Sequence, residues 1–168
     1  MDIFGAIRTR RSVRKYKTDP VEKEKLSKVP KAARLAPSAM NRQPYNLIVV
    51  TEPKTKEKLG SACNRYWVAP VMIVVCAFPD KFWVREDGEE YCKADVAITV
   101  HSLSLTAVAE GLGTCWIAAL EEDRVKRILG VPSEVRVLAM TPLGYPAEKK
   151  GPVTRSKRLE ELVRYEKW

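Results

Sequence analysis

Apolar residues along this chain follow two rhythms, one of amphipathic helices and one of buried strands, and their alternation predicts the fold. Ile3, Phe4 and Ile7 share one face of a short helix that Asp2 can cap. Asp19-Pro20 reads as the start of a second helix with proline in its first turn, and Val21, Leu26, Val29 and Ala33 continue along one side of it. Pro30 falls inside that pattern, where an interior proline costs about 3 kcal/mol, so a kink or break is expected there. Residues 36–45, with Pro37, Pro44 and several small or amide side chains, read as a loop. Residues 46–51 and 71–78 are short apolar runs with the character of buried strands, and residues 53–63 between them look helical.

Residues 79–90 form a polar excursion carrying Phe82 and Trp83. The strongest helix follows at residues 91–110, apolar on nearly every side and stopped by Gly111. Such a helix has to be covered all round, either by the core of its own subunit or by a second copy of the chain. Residues 114–120 and 135–145 read as a third and a fourth strand, separated by an amphipathic helix over residues 121–129 that Gly130 and Pro132 end. A basic loop then leads into residues 159–164. No repeat is visible, and residues 1–168 are expected to form a single α+β domain, a central sheet flanked by helices.

Composition narrows the chemistry. A chain of 168 residues, 45% of them hydrophobic, buries roughly 70% of the surface it would expose unfolded, which is enough for a core. The longest apolar run, residues 68–78, contains a proline and is far shorter than the ~20 residues of a membrane span. Met1 runs directly into Asp2 without an apolar leader, so a cytoplasmic protein with no membrane contact is expected. Cys63, Cys76, Cys92 and Cys115 lie far apart with no C-x-x-C pair, which points away from zinc and disulfides. His101 is the only histidine, so no metal site or nucleophile built on two imidazoles is expected. The net charge of +9 favours anionic ligands in general, nucleic acid and phosphorylated cofactors among them. Only residues 8–17 and 149–158 are basic without interspersed acids.

Three segments can carry chemistry. Arg10, Arg11, Ser12 and Arg14, in the run RRSVRKY just after a helix, offer guanidinium forks and a hydroxyl that suit a phosphate, although basic clusters are common on solvated surfaces. Pro37, Ser38, Met40, Asn41 and Gln43 lie in APSAMNRQPY, where two amides able to donate and accept would fit a ring edge with alternating acceptors and one N–H, such as the pyrimidine edge of a flavin. In GLGTCWIA, glycines at a helix end are followed by Trp116, Ile117 and Ala118, where a flat ligand could lie on backbone; an ordinary helix stop and core strand is the plainer reading.

Taken together and in order, RRSVRKY, APSAMNRQPY, GLGTCWIA and LGYPAE followed by RSKRLEELV resemble the nitroreductase family of FMN enzymes over essentially the whole chain. The chain resembles the compact branch of that family, with little material for an added lid. The resemblance implies a mainly antiparallel sheet in an intertwined homodimer. It implies that Arg10, Arg11, Ser12 and Arg14 hold the FMN phosphate and ribityl chain, with Arg155 and Lys157 of the tail closing over the phosphate. It implies that Pro37, Ser38, Met40, Asn41 and Gln43 of the other subunit contact the ring, and that backbone around Trp116, Ile117 and Ala118 faces its redox nitrogen. Residues 91–110 become the expected dimer interface. Three positions depart from the family pattern: Tyr45 stands where tryptophan is common, Pro30 where the helix usually continues, and Ser156 where arginine is expected, which passes a phosphate contact to Arg155 or Lys157.

A flavin accepts a hydride and returns one or two electrons, so such a protein needs no acid, base or nucleophile of its own. NADH or NADPH is the expected donor, a small nitroaromatic- or quinone-like molecule the acceptor, and ping-pong kinetics the consequence. Tyr66, Trp67, Phe82 and Trp83 are candidate walls for the acceptor, with core or rim packing as the other reading. Two rival functions remain: another reaction on the same fold (dehalogenation, ring oxidation, flavin fragmentation), or a nucleic-acid binder using the positive charge. No recognised nucleic-acid motif accompanies that charge.

Overall fold

The computed structural model describes residues 1–64, 67–151 and 155–168. Its core is a four-stranded sheet in the order β1-β2-β4-β3, built from β1 (Tyr45–Val50), β2 (Val71–Ala77), β3 (Gly113–Thr114) and β4 (Arg136–Gly144), with every neighbouring pair antiparallel. All seven residues of β2 are buried, because helices cover both faces. On one face Ile73, Val75 and Leu143 meet α2 (Lys23–Arg34) and α4 (Cys92–Ala109) through Val29, Ala33, Val96, Val100 and Leu103. On the other, Met72, Val74, Val137 and Met140 pack with Leu59 of α3 (Pro53–Ser61) and Val125 of α5 (Glu122–Leu129). A register shift between Val75 and Cys76 places Val75 opposite Ala139 and Cys76 opposite Val137, so β4 carries an extra residue while still feeding both layers.

Short α1 (Ile3–Thr9) is capped by Asp2, whose Oδ1 accepts the Gly5 N–H at 2.6 Å, and lies against α4 through Ala6. Its apolar residues Ile3, Phe4 and Ile7 point away from the core and are exposed. A last turn, α6 (Leu159–Leu162), leaves Leu159 and Leu162 exposed as well.

Several expectations are corrected. The second helix begins at Lys23 rather than at Asp19-Pro20: residues 15–17 ahead of it are tied to the end of the sheet, Lys17 N–H bonding Tyr145 O and Ala147 N–H bonding Lys15 O, each at 2.9 Å, with Tyr16 bridging Pro146, and Glu22, still extended, is the residue that precedes the first turn. The same helix runs through Pro30 without a break, its fully buried Val29 and Ala33 packed in the core with α4. That burial offsets the lost bond and strain of an interior proline. The third strand is only Gly113–Thr114, followed by an isolated bridge from Ile117 to Met140. In the single chain α4 is buried along one face, which leaves the expected interface side open. Asp95, Val96, Thr99, Val100, Leu103, Ser104 and Ala107 face inward, whereas Ala94, Ala97, Ile98 and His101 are exposed. Its buried hydroxyls are satisfied locally, Thr99 donating to Asp95 O and Ser104 to Val100 O.

Among the described residues, no helix is long and apolar enough to cross a membrane, and no group of three His, Cys, Asp or Glu is placed to hold a metal ion.

Candidate functional site

The two basic stretches, far apart in sequence, form one cleft. Val13 N–H bonds Thr114 O at 2.9 Å, which lays residues 12–14 along the end of the sheet. From there Arg11 reaches the tail, its Nε donating to Gly151 O at 3.0 Å, while its NH1 holds the carbonyls of Arg8 and Arg10 at the end of α1. Glu148 Oε1 accepts the Arg14 N–H at 2.7 Å and pairs with Lys150 at 3.3 Å; Lys150 also donates to Ser12 O. The Arg14 N–H, ahead of Lys150, holds the Glu148 carboxyl below the usual carboxylate range. The result is a cleft of about 760 Å³ whose lining includes Arg8, Thr9, Arg11, Lys150, Gly151 and Arg155. A smaller hollow of about 250 Å³ shares Thr9, Arg11 and Lys150 with it and reaches Val13, Gly113 and Pro146. Four cationic side chains converging on one open cleft are suited to a phosphate, which guanidinium forks bind bidentately.

Not every expected phosphate ligand sits there. Arg11 and Arg155 line the cleft. Arg10 is half-buried at the end of α1, Ser12 offers its carbonyl to Lys150, Arg14 is exposed with NH1 3.4 Å from that same carbonyl, and Lys157 is exposed; none of these lines it. Arg8 and Lys150 were missed as individual residues, although both lie within the acid-poor stretches that charge patterning marks out.

The loop over residues 36–45 is a built element. It contains a short 3-10 turn, Ala39–Asn41, and three non-glycine residues in the left-handed region: Met40, Asn41 and Gln43, with φ of 52°, 53° and 49°. Each costs of order 1–3 kcal/mol and persists only where its surroundings enforce it. Here they do. Ser38 Oγ accepts the Gln43 N–H at 2.9 Å, Gln43 Nε2 donates to Asn41 O at 2.9 Å, and Arg42 NH1 reaches Phe82 O at 2.8 Å. The inner tether is Asp95 of α4, only 1% exposed, whose Oδ1 accepts the Ala39 N–H at 2.8 Å. Its Oδ2 is buried without a hydrogen-bond partner among the described residues. Pro37, Met40, Asn41 and Gln43 remain exposed at the outer side of this frame, with Ser38 half-buried. Tyr45, the departure from tryptophan, uses its hydroxyl to reach Ala33 O at 3.1 Å, tying the loop's end to α2.

In the third segment the two glycines do different work from one another. Gly111 stops α4 with φ of 77°. Gly113 makes room for Val13, since a Cβ there would lie 2.5 Å from Val13 Cγ2. Ile117 is buried, and its N–H and C=O exchange hydrogen bonds of 2.9 Å with Met140, so its backbone is committed to the sheet. Trp116 and Ala118 flank it and are exposed.

The aromatic candidates separate. Tyr66 lies outside the described residues. Trp67 is a core residue, packed with Leu59, Met72 and Ile117. Phe82 packs partly against the α2–α4 layer, while Trp83 sits edge-on to Tyr91 with ring centroids 4.8 Å apart. Phe82 is joined to the 36–45 loop through Arg42. Two of the thiols are held away from reactivity: burial pushes Cys63 and Cys76 up to about 11.

The Nitroreductase family model matches residues 7–68 and 60–145. An NADH dehydrogenase of Thermus thermophilus is 32% identical, over 92% of this chain and 92% of its own length. Among solved structures, a nitroreductase family protein of Clostridium difficile 630 superposes with a TM-score of 0.88 at 34% identity, covering 100% of both chains. An FMN-dependent nitroreductase of Clostridium difficile R20291 does so with a TM-score of 0.84 at 30% identity, covering 98% of this chain and 99% of that one. Strand order, cationic cleft and tethered loop thus stand in a chain whose sequence and backbone both match one group of proteins: it belongs to the nitroreductase family.

Proposed function

We propose that the protein is an FMN-dependent oxidoreductase of the cytoplasm that takes reducing equivalents from NADH or NADPH and passes them to a small nitroaromatic- or quinone-like acceptor, working as a homodimer. The observation that carries this reading is the cleft in which Arg11 and Arg155 meet Arg8 and Lys150, a cation set that fits a flavin phosphate. Arg10, Ser12, Arg14 and Lys157 flank it and would serve the ribityl chain or the outer phosphate oxygens. The similarity to an FMN-dependent nitroreductase at 30% identity supports FMN in particular.

Bound FMN would supply the ability to accept a hydride and to release one or two electrons. The chain's own part is to bind, orient and shield. Pro37, Ser38, Met40, Asn41 and Gln43 present amides and a flat rim from a rigid loop, and in this reading they serve the cofactor of the other subunit. Trp116 and Ala118 lie exposed beside the committed backbone of Ile117 and would border the ring's redox edge. Of the described aromatics, Phe82 and Trp83 are the ones left to wall the acceptor, Trp67 being core. With a single open place serving donor and acceptor in turn, the kinetics are ping-pong.

Dimerisation rests on apolar surface with no cover in a single chain: Ile3 is 67% exposed, Phe4 73%, Ile7 48% and Ile98 39%. Together with Ala94 and Ala97 they make α1 and the outer side of α4 the natural contact. The functional test is anaerobic: purified protein reconstituted with FMN loses its visible flavin absorption on addition of NADH or NADPH and regains it with an acceptor. A preparation that stays colourless after reconstitution would remove this function.

A further inference from the structure

We infer that Asp95 is a positioning residue for the cofactor, acting through the loop of residues 38–43, an inference that rests on the flavin reading above. A carboxylate at the buried start of an apolar helix is an expensive choice for packing alone, and its only described hydrogen bond to another element is the one from Oδ1 to the Ala39 N–H, 2.8 Å long. That bond closes on the residue immediately before Met40 and Asn41, both left-handed, with Gln43 left-handed two places further on. On the outer side Arg42 fixes the same loop to Phe82 O. Asp95 is therefore the inner of two clamps, and it sets the direction in which the Asn41 and Gln43 amides are presented. The second oxygen, Oδ2, is buried without a partner among the described residues. The local hydrogen bonding is thus incomplete, which fits a group retained for what it holds in place more than for its contribution to stability.

Two substitutions of similar shape separate the acceptor from the volume. Asp95→Asn keeps an oxygen for the Ala39 N–H, whereas Asp95→Leu fills the space without an acceptor. Asp95→Leu is expected to weaken FMN binding by about 10-fold or more, and Asp95→Asn by less than about 3-fold. Amide exchange, measured without cofactor, is expected to show the Ala39 N–H protected in the native protein and in Asp95→Asn, and fast in Asp95→Leu. Ser104→Ala, which removes a buried hydroxyl further along α4, leaves both readouts unchanged. Equal FMN affinity in Asp95→Leu and the native protein overturns the inference, as does unprotected Ala39 in the native protein, a result readable even if the leucine variant fails to fold. If the native protein shows a protected Ala39 but binds no FMN, the flavin reading falls and takes this role with it, while the tether itself stands.

Discussion

Arg11 and Gly151 stand 140 positions apart in the chain and meet through a 3.0 Å hydrogen bond. That contact draws an amino-terminal cationic loop and a carboxy-terminal basic tail into one cleft, and it explains why neither stretch alone identifies a site. Arg155, which lines the cleft, is free of a described hydrogen bond and is available to an anion. Loss of a charge-assisted hydrogen bond of about 1.5–3 kcal/mol corresponds to about 10 to 150-fold in affinity. Arg155→Ala is therefore expected to weaken FMN by that factor in an equilibrium titration, and Arg10→Ala, outside the cleft, by less. The reverse order would move the phosphate away from the Arg11–Gly151 junction.

Gly113 and Val13 give a second expectation. An alanine at 113 would bring its Cβ to 2.5 Å from Val13 Cγ2 and 3.2 Å from Pro146 Cγ, forcing the loop between Ser12 and Arg14 outward. Overpacking of this kind costs about 1–3 kcal/mol. At Gly111, with φ of +77° and nothing near its missing side chain, alanine costs about 1–2 kcal/mol through backbone conformation alone. Denaturant melts are expected to show both variants destabilised, while FMN titration shows only Gly113→Ala impaired. Normal flavin affinity in Gly113→Ala would show that the Val13 loop does not shape the site.

Cys63, Cys76 and Cys92 are expected to be chemically silent. Cys63 and Cys76 are held at about 11 by burial, and burial also raises Cys92. At about pH 8 only about one thiol in a thousand at such a site is ionised. Iodoacetamide should modify these three slowly in the native protein and readily in denaturant, with the native rate climbing as pH approaches the raised values. Rapid alkylation of half-buried Cys63 at neutral pH would contradict the burial described here.

Much of this was legible in the sequence because it is local. Asp2 caps α1, Gly111 and Gly130 stop α4 and α5, and the apolar runs of β2 and β4 announce strands covered on both faces. What was not legible depends on partners far along the chain. Asp19-Pro20 looks like a helix start, yet residues 15–17 pair with 145–147 and the helix begins only at Lys23. Trp67 looks like a pocket wall until it is seen packed with Leu59 and Met72. Asp95 carries no marker in the sequence, since what it holds, the N–H of Ala39, lies 56 residues earlier. The family resemblance supplied the order of the landmarks, but not Arg8, Lys150 or Asp95.

The uncovered face of α4 carries a further expectation. Ile98→Glu puts a charge at the centre of the proposed contact, beside Ala94 and Ala97, without touching the cleft at Arg11. Light scattering on the purified variant should give the mass of a single chain where the native protein gives that of two. An Ile98→Glu protein that remains dimeric would move the interface elsewhere.

Sedimentation followed in the flavin's own visible absorption tests the central claim, a cofactor held between two copies of this chain, most directly. Protein reconstituted with FMN is expected to carry all bound flavin at the mass of a dimer, with equal numbers of flavins and chains, and Ile98→Glu is expected to release it. Flavin that sediments with single chains, or that stays free while the protein is dimeric, would contradict the account.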